Sequence, residues 1–256
     1  MKVKTFHQFV VLERGPVNTA VINFLTGDVF QVENHLVEKL EKGQYDEISY
    51  FLDFLEKEDL IFEVNQGEWI PGIHFEEPKE DEDFQLEIEE GVDLALLYEQ
   101  FKGFKVSRVI YTGKTLPEEL PDFPEFVRQD GDFSYCMNLT SIDGNFKKIN
   151  ERFYGFNKHF NSCWGKKIAV TKDGKIRPCI FSQVIIGDLG DRNIGDIVEK
   201  AKVYWTITKD KVEKCKDCEL KYTCFDCRVI ASEKGGHGLA ANPLCKYDPY
   251  TGTWEI

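Results

Sequence analysis

Apolar and polar positions divide the chain into segments of different period. Phe9-Val10-Val11-Leu12, Thr19-Ala20-Val21-Ile22-Asn23-Phe24 and Asp28-Val29-Phe30-Gln31-Val32 are short runs rich in β-branched and aromatic residues. Gly15-Pro16 and Thr26-Gly27-Asp28 punctuate them, which predicts three strands joined by turns. Helical spacing follows. Asn34 is placed to cap Leu36 to Leu40 with Gly43 as the stop, and Ile48, Phe51, Leu52, Leu55 and Leu60 make one apolar face. Leu60 to Val64 then predicts a returning strand. This order predicts a winged-helix-like unit over residues 1–66. It lacks a basic recognition helix, so DNA is its weakest partner. An extended peptide added to a strand edge, at Val17–Phe24 or Val29–Val32, suits it better, and a structural cap suits it equally well.

Residues 67–154 read as an acidic linker followed by a reduced α/β segment. Asn65-Gln66-Gly67 and Pro71-Gly72 break structure, and Glu76 to Glu90 holds nine acids and one lysine, the mark of a solvated run. Phe84 to Ile88 predicts a strand, Val92 to Phe101 a helix and Val106 to Tyr111 a second strand. A loop with Pro117, Pro121 and Pro124 follows, then a third strand at Phe133 to Leu139. This βαβ-like fragment is too short for a whole α/β barrel or dinucleotide fold and carries no phosphate-binding glycine loop.

Charge sharpens the division. The 256 residues carry a net −13, which argues against general nucleic-acid binding. Residues 1–162 balance to −16 and residues 163–256 to +3, while seven of eight cysteines lie at or after position 163. No apolar run is long enough to span a bilayer, and Met1 to Gln8 resembles no secretory signal, so the expected setting is the cytoplasm.

The cysteines carry the chemistry. Cys163 is followed by ten residues, Gly174, four residues and Cys179. The interval reads as a β-hairpin, Lys167 to Thr171 and Lys175 to Arg177 about an Asp173-Gly174 turn, which brings both cysteines together. Next come Cys215-x2-Cys218-x5-Cys224-x2-Cys227 and, last, Cys245. Disulfides suit an oxidising compartment, which this chain does not suggest. Structural zinc is the stronger alternative, since each Cys-x-x-Cys supplies half a tetrahedral site. The pairs are five residues apart, however, and seven cysteines do not divide into whole four-cysteine sites. Iron–sulfur clusters tolerate an incomplete set, so the spacing favours iron–sulfur over zinc.

This spacing resembles the SPASM domain, the auxiliary-cluster domain of many radical S-adenosylmethionine enzymes. His159-Phe-Asn-Ser-Cys163, Tyr204-Trp205-Thr206-Ile207-Thr208-Lys209-Asp210, Cys224-Phe-Asp-Cys227-Arg228 and Tyr247-Asp-Pro-Tyr-Thr-Gly252 are similar to SPASM peptide maturases of grasp-with-spasm clusters. The resemblance implies an α+β protein with a SPASM-like domain over 155–256 and a leader-reading N-terminal unit. It also implies two [4Fe–4S] clusters, a ribosomally made precursor peptide and an ATP-grasp ligase or other maturation enzyme as partners. By the family pattern, Cys215, Cys218, Cys224 and Cys245 hold one cluster, and Cys163, Cys179 and Cys227 hold three irons of the other. His159 and Cys136 are candidates for the fourth position. Lys166, Lys167, Arg177, Lys214, Lys216, Lys221 and Arg228 are placed to balance charge, and Trp164, Phe181, Trp205 and Phe225 to exclude water. Two features depart from the family. The last Cys-x3-Cys is shortened to Cys224-x2-Cys227, and a CxxxCxxC motif for S-adenosylmethionine is missing. The expected function is therefore to bind a precursor peptide and present it to, or relay electrons for, a partner. A stand-alone enzyme with an open iron and a zinc-stabilised adaptor are the alternatives.

Overall fold

The computed structural model describes residues 2–68, 70–73, 75, 83–129, 148–235 and 238–255. The N-terminal part forms the strands and helices the pattern predicts, and one strand more, at its start. β1 (Lys2–Phe6) pairs antiparallel with β5 (Ile61–Asn65). β2 (Val10–Arg14), β3 (Asn18–Asn23) and β4 (Asp28–Glu33) form an antiparallel sheet in that order. α1 (Asn34–Glu41) and α2 (Ser49–Lys57) follow, and Gly43 ends the first of them at φ +71°. Asn34 is not the cap. Glu33 holds that position, while the Asn34 amide donates to Gly15 O at 2.9 Å and its Oδ1 accepts from Thr19 Oγ1 at 2.6 Å. Asn34 thus ties helix to sheet, a stronger use of a half-buried amide than an exposed cap.

Every residue of β3 is buried, because the pleat sends its side chains into two different cores. Val21 packs with Leu36, Val37, Leu40, Phe51 and Leu55 of the helices. Ala20 and Ile22 face the other way, onto Tyr154, Leu220, Tyr222 and Tyr247. The sheet is held on one side by its own helices and on the other by the cysteine-rich part. As the central strand, β3 offers no edge; only β2 and β4 do.

The predicted βαβ unit forms as β6 (Phe84–Glu89), α3 (Leu94–Phe101) and β7 (Val106–Thr112), with β6 and β7 parallel. The Asp93 side chain caps α3, accepting from Leu96 N at 3.0 Å. β8 (Phe126–Gln129) extends the sheet directly after the proline loop, where no strand is expected from the pattern. The strand predicted at Phe133–Leu139, and Cys136 with it, lies outside the described residues.

α4 (Glu151–His159) leads to β9 (Lys167–Val170), β10 (Lys175–Arg177) and β11 (Gly187–Asp188). β9 pairs in parallel with β6, giving a six-stranded sheet in the order β11-β10-β9-β6-β7-β8. The sheet therefore crosses the division drawn at residues 154 and 155. α5 (Ile194–Trp205) covers it, burying Ile197, Val198, Ala201 and Trp205 in the core with Phe84, Leu86 and Ile88. α6 (Arg228–Gly235) and the ribbon of β12 (Tyr247–Asp248) with β13 (Thr253–Trp254) complete the described fold. Among the described residues no helix is long and apolar enough to cross a membrane.

Candidate metal centre

The seven described cysteines are free thiols and fall into two groups. Cys215, Cys218, Cys224 and Cys245 line one small hollow of about 30 Å³. Tight turns present them. Lys214, in the left-handed region at φ 63°, reverses the chain before a single 3-10 turn at Cys215–Asp217. Cys218 N bonds to Cys215 O at 3.0 Å, and Cys224 N to Leu220 O at 3.0 Å. Asn242 turns the last segment, its Oδ1 accepting from Leu244 N and its carbonyl from Cys245 N, each at 3.0 Å. The amide of Leu220 points at Cys218 Sγ, 3.4 Å away. Leu220, Phe225, Tyr247 and Trp254 supply apolar walls.

Lys209 reaches into this hollow and is only 7% exposed. Burial pushes its ammonium down, but the charges of Cys224, Cys215 and Asp226 outweigh that and leave it raised. The thiols respond in the opposite sense. Burial pushes Cys215 up to about 11 against the pull of Lys209, and lifts Cys218 and Cys224 too. A metal-free hollow therefore favours protonated thiols at Cys215, Cys218 and Cys224 beside a buried cation. Thiolates bound to a metal reverse that imbalance.

The second group is Cys163, Cys179 and Cys227, packed with Trp164, Val229 and Ile230. As predicted, the hairpin of β9 and β10 joins the first two. Gly174 takes φ +75° at its turn, and the thiols of Cys163 and Cys179 are close enough to interact. Asn161 holds the Cys163 turn, its Oδ1 accepting from Cys163 N at 2.9 Å and Trp164 N at 2.8 Å. Cys227 opens α6. Burial raises its thiol, while the amides of Ile230 and Val229 at the helix start pull it down. Interaction with the Cys163 side chain, then burial, raise Cys179 well above an ordinary thiol. Lys167 lies 4.0 Å from Cys163 Sγ and 3.2 Å from Glu87 Oε2. Each thiol group thus has one lysine beside it, Lys209 buried and Lys167 partly buried.

Asp226 stands between the two groups and raises Cys215, Cys224 and Cys227 among its weaker effects. It pairs with fully buried Arg228 at 2.5 Å and accepts from Asn161 Nδ2 at 3.2 Å. Arg228 therefore spends its charge on Asp226. Lys221 is likewise paired with Asp210 at 2.9 Å, and Lys166 with Asp83 at 2.8 Å. Of the expected cations, Lys167 meets the thiols, and Lys209 is the one sequence reasoning missed. It stands inside the quoted stretch Tyr204 to Asp210, yet no pattern marks its burial. Trp164 and Phe181 pack on the three-thiol group and Phe225 lines the hollow, whereas Trp205 belongs to the sheet core. None of the described contacts joins His159, the last residue of α4, to the three thiols.

The donor set fits an anionic, sulfur-rich group. Two buried N–H donors, Asn242 Nδ2 in the hollow and Trp164 Nε1 beside Cys179 and Cys227, take no partner among the described residues. Inorganic sulfide and thiolate would accept from both.

Comparison with known proteins defines the class. Residues 163–219, which include Cys163, Cys179, Cys215 and Cys218, match SPASM, an iron–sulfur cluster-binding domain. The chain carries a SPASM iron–sulfur domain. It is similar to a protein named AdoMet-dependent heme synthase from Methanosarcina barkeri, with 30% identity over 107 residues, 40% of this chain and 30% of that protein. Another protein of that name, from Oleidesulfovibrio alaskensis, is 26% identical over 82 residues, 31% of this chain and 21% of its own length. The chain thus spans between a fifth and a third of these relatives. No solved structure matches it.

Proposed function

We propose that this chain is an iron–sulfur accessory protein of ribosomal peptide maturation. Its C-terminal half would hold two [4Fe–4S] clusters, and its N-terminal half would present a precursor peptide to a partner enzyme such as an ATP-grasp ligase. The observation that carries the metal reading is the separation of seven thiols into a set of four and a set of three, each with one lysine beside it. Bound clusters of this kind supply one-electron redox chemistry. Lys209 and Lys167 balance charge, and the apolar walls limit access of water.

The peptide reading draws on the N-terminal half, taken here as a winged-helix-like leader reader. Its sheet is docked through β3, and β4 keeps an outer edge suited to strand addition. Gln31 of β4 donates to Glu219 at 2.8 Å and accepts from Trp254 Nε1 at 3.1 Å, so that edge lies beside the four-thiol hollow. The proposed setting is the cytoplasm, where thiols remain reduced.

Anaerobic reconstitution with iron and sulfide tests the metal reading. Two clusters require about eight irons and eight sulfides per chain; stoichiometric zinc without iron would refute them. For the peptide, amide exchange on adding the co-encoded precursor should protect residues of β4. Binding without protection of β2 or β4 refutes strand addition.

A further inference from the structure

The set of three thiols leaves one cluster iron without a cysteine, and the fold places a buried carboxylate beside it. Resting on the cluster reading above, we infer that Glu87 is the fourth ligand of the cluster held by Cys163, Cys179 and Cys227, binding its remaining iron through oxygen.

Glu87 lies in β6, the strand enclosed by β7 and β9, and is 4% exposed. Its neighbours Leu86 and Ile88 enter the apolar core, so the pleat turns Glu87 to the opposite face. That face meets the ends of the hairpin. The amide of Ile180, the residue after Cys179, donates to Glu87 Oε2 at 3.2 Å. Lys167 contacts the same oxygen at 3.2 Å while lying 4.0 Å from Cys163 Sγ. Both tethers come from residues that adjoin the thiols, and both use Oε2. Oε1 takes none of the described bonds. A carboxylate is costly to bury, and one amide with one lysine shared with a cysteine, both on Oε2, leave Oε1 to take a further partner. An iron ion meets the need, since carboxylate oxygen is an established donor to iron. Charge also balances: three thiolates and one carboxylate around a 2+ core leave 2−, which Lys167 reduces to 1−. By contrast, His159 has no described contact with the group.

Oxidative loss of iron reads out this ligand without any enzymatic assay. One electron passes from [4Fe–4S]2+ to ferricyanide; the resulting 3+ core releases Fe2+ and leaves [3Fe–4S]+, so charge is conserved. Reconstituted full-length parent, Glu87→Gln, Glu87→Cys, Lys167→Gln, His159→Ala and Cys136→Ser chains are titrated with ferricyanide. The three-iron paramagnetic signal and the Mössbauer spectrum are followed. The parent should contain one iron of oxygen-ligand character. Glu87→Gln should lose that signature and form the three-iron cluster about tenfold faster or more. Glu87→Cys should convert the site to thiolate character and restore resistance, which also covers a glutamine variant that loads poorly. His159→Ala and Cys136→Ser should keep the parental iron spectrum, and Lys167→Gln should keep the oxygen-ligated iron. A Glu87→Gln spectrum identical to the parent's overturns the assignment. So does its reproduction by Lys167→Gln, which would make Glu87 an ion-pair partner only. A parent whose distinct iron has nitrogen character lost in His159→Ala, or whose four irons are all thiolate-bound until Cys136→Ser, assigns the ligand there instead. If the parent itself binds no iron, the cluster reading fails, a result distinct from all of these.

Discussion

Replacing Lys209 with methionine tests the charge logic of the four-thiol hollow, because the sign of its effect depends on what the hollow holds. Without metal, burial favours the protonated thiols of Cys215, Cys218 and Cys224 at neutral pH, with Cys215 raised to about 11. The Lys209 ammonium then feels chiefly Asp226, which Arg228 already pairs at 2.5 Å. Methionine keeps most of the apolar stem and removes a buried charge. Metal-free K209M should therefore match the parent or exceed it by about 1 kcal/mol. With a thiolate-held cluster, the substitution removes a cation next to negative charge. At a separation of about 4–6 Å and an effective dielectric of about 20, one unit pair is worth roughly 3–4 kcal/mol. The cost of desolvating the lysine offsets part of this, leaving a loss of about 1–3 kcal/mol. Anaerobic urea unfolding of both forms at constant m measures the difference. Shifts of equal sign and size in the two forms would refute the reasoning.

Other consequences are equally open to measurement. Cys215 titrates near 9 as an ordinary thiol and near 11 in the folded metal-free chain. Its contribution, roughly 2–3 kcal/mol, should be complete below pH about 9 and lost as pH rises towards about 11. Urea midpoints across that range should fall for metal-free protein and hold for reconstituted protein. Changing Cys215 and Cys218 together to alanine should halve bound iron and lower the melting temperature of the loaded chain, since ligation and folding are coupled; unchanged iron would remove them from the ligand set. Supplied with S-adenosylmethionine and a strong reductant, these 256 residues should form no 5′-deoxyadenosine by chromatography, because they contain no CxxxCxxC motif. Ile22→Ala should cost about 2–4 kcal/mol in chemical unfolding, because it empties the core between the N-terminal sheet and Tyr154, Leu220 and Tyr247.

Local chemistry was legible in the sequence wherever it is written in neighbouring residues. The Asp173-Gly174 turn, the strands beside it and the meeting of Cys163 with Cys179 follow from a few consecutive positions. The same holds for the two N-terminal helices and the βαβ unit, whose apolar spacing has one clear period. Strand order carries no such mark. Periodicity does not reveal that β3 is central, nor that β9 joins β6, since both depend on partners distant in the chain. Asn34 misleads for a related reason: its cap-like position is local, but its partners Gly15 and Thr19 are in another element. Lys209 and Glu87 resemble any surface residue of their type until the fold buries them.

The parallel pairing of β6 with β9 also bears on how the chain is made. Gln85 meets Lys167 and Ile88 meets Val170 across about 80 residues, a loop whose closure costs about 4 kcal/mol beyond the constant term. On the ribosome, β6 emerges long before this partner. During that interval Phe84, Leu86 and Ile88 lie on an open strand edge, the kind of segment that nascent chains lose to aggregation. Closure comes with the hairpin that bears Cys163 and Cys179, so the residues that seal the sheet arrive together with the first thiols. Yield of intact protein should accordingly depend on iron supply during synthesis, and not only on iron added afterwards.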